Sequence, residues 1–213
     1  MRDATISAVV AIHYLIVFVL TMGNPREDAG LAGQYATSTR EINVPNETAT
    51  FAAGCFWGVQ STFERLPGVL MTRVGYTGGK TVDPTYEDVC AGDTNHAEAI
   101  EITFDPSKVT YRELLNIFFE SHDPTTLDRQ GPDVGTQYRS AVFYHSPQQK
   151  ELAEAEMEKR QASGEYARPL VTQVAPAKTF YSAEEYHQLY FYKNGIDYSC
   201  HTGNGKKPAF RRK

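Results

Sequence analysis

Three cysteines in 213 residues, Cys55, Cys90 and Cys200, show no CxxC spacing and are too few to staple a domain of this size, which excludes a disulfide framework. The six histidines fall in no HExxH or Cys/His pattern, so no metal is expected. A strong charge excess is also missing: the net charge is -5, and basic residues are scattered except for Lys206, Lys207, Arg211, Arg212 and Lys213, which argues against nucleic acid as a partner. With 41% hydrophobic and 22% charged residues, the chain lacks the composition of a disordered protein. It contains no internal repeat or low-complexity tract, and its length leaves room for one ordinary domain, not two.

What is present begins with Ile6 to Met22, nearly continuous apolar sequence broken only by Ser7, His13 and Thr21. The run follows Arg2, is short for a membrane span, and precedes small residues such as Gly23 and Ala32. Residues 1–23 are therefore expected to be an export signal or membrane anchor outside the fold. That makes the protein exported or membrane-associated, with membrane contact only through this segment if it is retained. A misplaced start codon would make it cytoplasmic. Residues 24–47 read as a polar, turn-rich linker, and the sequon Asn46-Glu47-Thr48 matters only in a glycosylating host.

Thr48 to Ala53 reads as a short buried strand running into Gly54-Cys55, after which Phe56, Val59, Phe63 and Leu66 recur with helical period. Pro67-Gly68 stops that helix, and Val69 to Tyr76 reads as a strand. Ala97 to Phe104 alternates, placing Glu98 on one face with Ile100, Ile102 and Phe104. Capping boxes at Thr110, Ser146 and Ser182 predict three further helices, the second mostly a solvated face and the third ending near Asn194-Gly195. Strands are expected at Ser140 to Tyr144 and Leu170 to Ala175. The pattern is that of an α+β two-layer sandwich, with helices on a mixed or antiparallel central sheet, irregular Gly-rich loops and a flexible C-terminal tail. Thirteen tyrosines and eleven phenylalanines exceed what a minimal core needs and hint at an aromatic-lined pocket.

Cys55 sits in Gly54-Cys55-Phe56-Trp57-Gly58, at the first turn of a helix. There the macrodipole and unpaired amides favour a thiolate, and the flanking glycines leave the sulfur accessible. An isolated cysteine is by default a buried structural residue, but the glycine and aromatic neighbours favour reactivity. Glu98, a carboxyl on an apolar strand face, is a candidate acid because desolvation disfavours its charged form. Cys90 is expected to be a buried spectator.

The Gly54 to Gly58 segment resembles the signature of the A-type peptide methionine sulfoxide reductases. Four further blocks agree: Pro84 to Cys90, His96-Ala97-Glu98, His122-Asp123-Pro124 and Gly131 to Ser140. The resemblance spans about Thr48 to Cys200, giving a catalytic domain over 48–200 and a basic tail over 201–213. It implies a peptide-methionine (S)-S-oxide reductase that repairs oxidised methionine, free or in proteins, and functions as a monomer. By that resemblance Cys55 attacks the sulfoxide sulfur, Glu98 supplies the proton, Tyr86 and Tyr138 hydrogen-bond the oxygen, and Asp133 organises the site. Phe56 and Trp57 hold the methyl group. Cys200 resolves the Cys55 sulfenic acid as a disulfide, which thioredoxin or a similar dithiol reduces without any bound cofactor. Asn95 departs from the pattern, standing where many relatives have glycine, and a single tail cysteine leaves no relay through a third thiol. Read without the resemblance, the residues also admit a cysteine peroxidase or hydrolase, which would need a histidine base or an arginine beside Cys55. A binding module stapled by Cys55 and Cys200 is the non-enzyme alternative.

Overall fold

A computed structural model describes residues 45–196; the expectations for residues 1–23, for nearly all of 24–47, and for Cys200 and the tail lie outside the described residues. The elements follow as β1 (Glu47–Ala53), α1 (Phe56–Phe63), β2 (Val69–Thr77), α2 (Tyr86–Ala91), β3 (Ala97–Phe104), α3 (Tyr111–Ser121), β4 (Arg129–Gln130), β5 (Asp133–Val134), β6 (Ser140–Tyr144), α4 (Pro147–Ser163), β7 (Gln173–Pro176), β8 (Tyr181–Ser182) and α5 (Tyr190–Lys193). Six strands form one sheet in the order β7-β6-β1-β3-β2-β8, antiparallel throughout except for the parallel β6/β7 pair. β4 and β5 make a separate short ladder. The expected α+β class with a mixed sheet is what forms.

Period-two alternation decides which face each strand buries. Ala49, Phe51 and Ala53 of β1 and Ile100, Ile102 and Phe104 of β3 meet Val59 and Phe63 of α1 and Leu114, Leu115, Phe118 and Phe119 of α3. Phe51 stacks on Phe118 with centroids 5.1 Å apart. Each of the valine, isoleucine, leucine and phenylalanine side chains here contributes roughly 1.5–3 kcal/mol when fully buried, so this layer supplies most of the driving force. The opposite face is lined by Ala52, Ala97, Ala99 and Ala141 around Phe143, and Ala175 of β7 packs against them together with Ala177 and Phe180 of the segment that follows it.

The Thr110–Glu113 capping box forms as expected. At Ser146 only half of the box forms: its hydroxyl accepts from the Gln149 amide, while the Gln149 side chain turns to the His145 amide and the Thr48 carbonyl. The helix that follows is not merely solvated, because Glu156 is fully buried in an ion pair with Arg160 at 2.8 Å. The helix expected from Ser182 does not form. Ser182 instead lies in β8 opposite Gly75, a 3-10 turn covers Glu185–His187, and Leu189 at φ +53 separates that turn from the short α5. Tertiary bonds override the local cap here. Gln188 donates to the Val74 and Ala183 carbonyls and accepts from the Val74 amide, while the Leu189 amide reaches the buried Gln60 side chain. The strand expected from Leu170 starts only at Gln173, because the Leu170 and Val171 amides donate to Gln161 and to the Pro124 carbonyl.

His122 fastens α3 to the sheet. Its Nδ1 faces the Phe118 carbonyl at 2.7 Å, and a carbonyl only accepts; Nε2, 2.7 Å from the Ser140 hydroxyl, is then the acceptor of a neutral ring. Burial pushes this imidazole down from 6.5 to about 4. Between those values the unfolded chain binds the extra proton, so the stability His122 confers is complete above about pH 6.5 and is lost as pH falls towards 4. Urea unfolding should show the parent losing about 2 kcal/mol more than His122→Gln between pH 7 and pH 5. Parallel losses would mean that His122 is not the titrating group.

Candidate active site

β1 delivers the chain to the site through Gly54, whose φ of +95 and close approach to Gln130 exclude a side chain; a Cβ there would lie 2.7 Å from Gln130 Cβ. Cys55 follows as the N-cap of α1, half-buried. The Trp57 and Gly58 amides draw its thiol down, as the helix-start position predicts. Burial outweighs them, and with the neighbouring charges of Glu98 and Asp133 it pushes the thiol up to about 12. Helix start and burial thus pull the thiol in opposite directions, and burial is the larger cause.

Glu98 occupies the buried face of β3 next to α1, 2% exposed, and its Oε2 accepts the Phe56 amide at 3.0 Å. Burial raises its carboxyl to about 7, the Phe56 amide opposes this, and the nearby Asp133 charge adds to it. An acid that is half protonated near neutral pH thus stands one residue from the thiol.

Tyr86 opens α2, whose start is fixed by a capping box between Thr85 and Asp88 that the sequence reading did not identify. Its hydroxyl meets the Cys90 thiol one turn on, an interaction that, with burial, raises the phenol above its ordinary range. Tyr138 ends the 3-10 turn Thr136–Tyr138 after Gly135, and burial followed by the charges of Glu98 and Asp133 raises it likewise. Asp133 in β5 acts on Cys55, Glu98 and Tyr138 through its charge. Arg139 ties this loop to the rest by donating to the Thr136 and Asn95 carbonyls and to Gln173. Asn95 has φ +55, a conformation that glycine adopts freely and asparagine tolerates best among other residues, so the departure from glycine is accommodated.

The family model described as peptide methionine sulfoxide reductase matches residues 47–213. The chain belongs to this family. It is 57% identical over 153 residues to the peptide methionine sulfoxide reductase MsrA of Geobacter sulfurreducens, covering 72% of this chain and 94% of that one. Among solved structures it resembles reduced Mxr1 from Saccharomyces cerevisiae, with a TM-score of 0.67 and 40% identity over 74% of this chain and 90% of that one. It also resembles methionine sulfoxide reductase A of Corynebacterium diphtheriae, with a TM-score of 0.64 and 41% identity over 75% and 80% of the two chains. The protein is a thiol-dependent peptide-methionine (S)-S-oxide reductase.

In this reductase the structure brings Cys55, Glu98, Tyr86, Tyr138 and Asp133 within reach of one another's charges. Phe56 is only 1% exposed, packed with Val74, Tyr76 and Val89, whereas Trp57 stays partly open, stacked on Tyr190 at 3.8 Å and 9°. Cys90, expected to be buried, is exposed, because α2 presents only Val89 to the core. Three neighbours escaped the sequence reading. Glu184 accepts from the Tyr76 hydroxyl and the Tyr86 amide, both at 2.9 Å, bracing α2 against β2. His187 bonds Trp57, and Tyr190 stacks on it. Their one signal was the aromatic density of Tyr186 to Tyr192, which the reading absorbed into a helix.

Proposed function

We propose that Cys55 attacks the sulfoxide sulfur while Glu98 gives its proton to the sulfoxide oxygen. The observation that carries this reading is the Phe56 amide bond to Glu98, which fixes a half-protonated carboxyl beside the thiol. As the Cys55 sulfur reaches the substrate it releases its own proton, and the Glu98 carboxylate takes it up, restoring the acid. The oxygen ends on Cys55 as a sulfenic acid and methionine leaves as the thioether. Tyr86 and Tyr138, both held as phenols, donate to the oxygen. The charge of Asp133 adds to the burial that holds the Glu98 carboxyl up, and Phe56 and Trp57 hold the methyl group, as thioether affinity for aromatic rings favours.

In the same reading Cys200 resolves the sulfenic acid, and a thioredoxin-like dithiol reduces the resulting disulfide. Cys200→Ser should complete one turnover and accumulate a sulfenic acid that dimedone traps, since thiol and acid are untouched. Thioredoxin-driven steady turnover should collapse, while dithiothreitol, small enough to attack the sulfenic acid directly, should support a substantial part of it. Full thioredoxin-driven turnover in this variant would refute the two-cysteine cycle and point to direct attack by the donor or to Cys90.

A further inference from the structure

His187 closes the 3-10 turn before α5, is 1% exposed, and touches four rings: Tyr186, Tyr86, Phe56 and Trp57, at centroid distances of 4.1, 4.6, 5.1 and 5.5 Å. Its Nδ1 lies 3.0 Å from Trp57 Nε1. An indole N–H only donates, so Nδ1 is the acceptor and bears no proton; in the neutral ring the proton sits on Nε2. That Nε2 is buried and has no hydrogen-bond partner among the described residues, with Glu184 Oε2 standing 3.9 Å off. A residue chosen only to fill an aromatic cage would not leave a buried N–H unsatisfied, because an apolar ring fills the same space without that cost. What the imidazole adds over such a ring is its bond to Trp57. The opposing constraint on the indole is the Tyr190 stack, so both anchors of Trp57 come from one segment, 187–190.

We propose that His187 is a positioning residue of the reductase: through Nδ1 it fixes the Trp57 indole in the orientation that walls the substrate methyl site. Its ring meanwhile holds Tyr86 against the same site. The inference rests on Trp57 being a wall of that site, as read above.

The test compares His187→Phe, which keeps a ring and loses the acceptor, with His187→Asn, whose Oδ1 falls near the position of Nδ1 but which loses the ring. With methionine S-sulfoxide and dithiothreitol, His187→Phe should raise KM roughly tenfold, the worth of one net hydrogen bond, with kcat within about threefold. His187→Asn should keep KM within about twofold. Trp57 is the sole tryptophan, so its fluorescence reports the indole directly: acrylamide quenching should rise in His187→Phe and match the parent in His187→Asn. His187→Leu, also without an acceptor, should behave like the Phe variant and replaces it if that variant does not fold. In a Trp57→Phe background, which has no N–H to anchor, the Phe and Asn variants should become equal. Filling of the cage alone ranks the variants the other way, with Phe nearer the parent than Asn, and that ranking, or unchanged quenching in both, overturns the inference. If Trp57→Phe alone leaves KM at the parental value, the wall assignment itself fails, and the bond to His187 is structural only.

Discussion

Cys55→Ser will abolish turnover of methionine S-sulfoxide with any reductant, a loss of roughly 10⁴-fold or more. The sulfur at this position is soft and polarisable enough to attack while its proton is leaving, whereas a serine hydroxyl would need a strong base. Glu98, at about 7, is too weak for that, and the Trp57 and Gly58 amides that help a thiolate do not offset burial for an alkoxide. A related measurement checks the resting state of the thiol. Because burial and the Glu98 charge hold it up at about 12, iodoacetamide alkylation of Cys55 should still be accelerating at about pH 10, where an ordinary thiol has levelled off. A variant with activity within tenfold of the parent would end the assignment of Cys55 as nucleophile.

Glu98→Gln should lower kcat by roughly 10²–10⁴-fold, the range for loss of a general acid. The sign of its pH dependence is the sharper test. In the parent the active form carries a protonated Glu98, so activity should fall as pH rises through about 7. In the variant that limb disappears. Removing the Glu98 charge also relieves one of the causes that raise Cys55, so residual activity should climb over the same interval. Unfolding is separable from loss of chemistry. A carboxyl whose folded value lies above its unfolded one favours the folded state least at high pH, so Glu98→Gln should be at least as stable as the parent above pH 7 in urea titrations. A variant that keeps the parental rate and the falling limb would make Glu98 structural.

Much of this was legible because local and tertiary preferences agree. The alternation of Ala97 to Phe104 set both the strand and the side on which Glu98 lies, and the run from Thr48 into Gly54-Cys55 placed the thiol at a helix start. Where they disagree, pattern reading fails. Ser182 with Glu185 is a sound capping box on local grounds, yet the Ser182 backbone joins β8 and Gln188 occupies the edge of β2, bonds that no window of neighbouring residues contains. The thiol shows the same limit: dipole and amides are local and readable, but the burial that outweighs them comes from the packed surroundings of the site. His187 was missed because its partner is 130 positions away in sequence.

The order of the sheet also bears on how the chain is born. Its two outer strands, β7 and β8, are the last to be synthesised, and they cover the flanks of β6 and β2. A nascent chain emerging from its N-terminal side can assemble β1, β2 and β3 and then add β6. The outer edges of β6 and β2 stay unpaired until Gln173 to Ser182 has been made. The same late segment leads directly into His187 and Tyr190, so pairing the edges of β6 and β2 and placing the two residues that hold the Trp57 indole come together in biosynthesis.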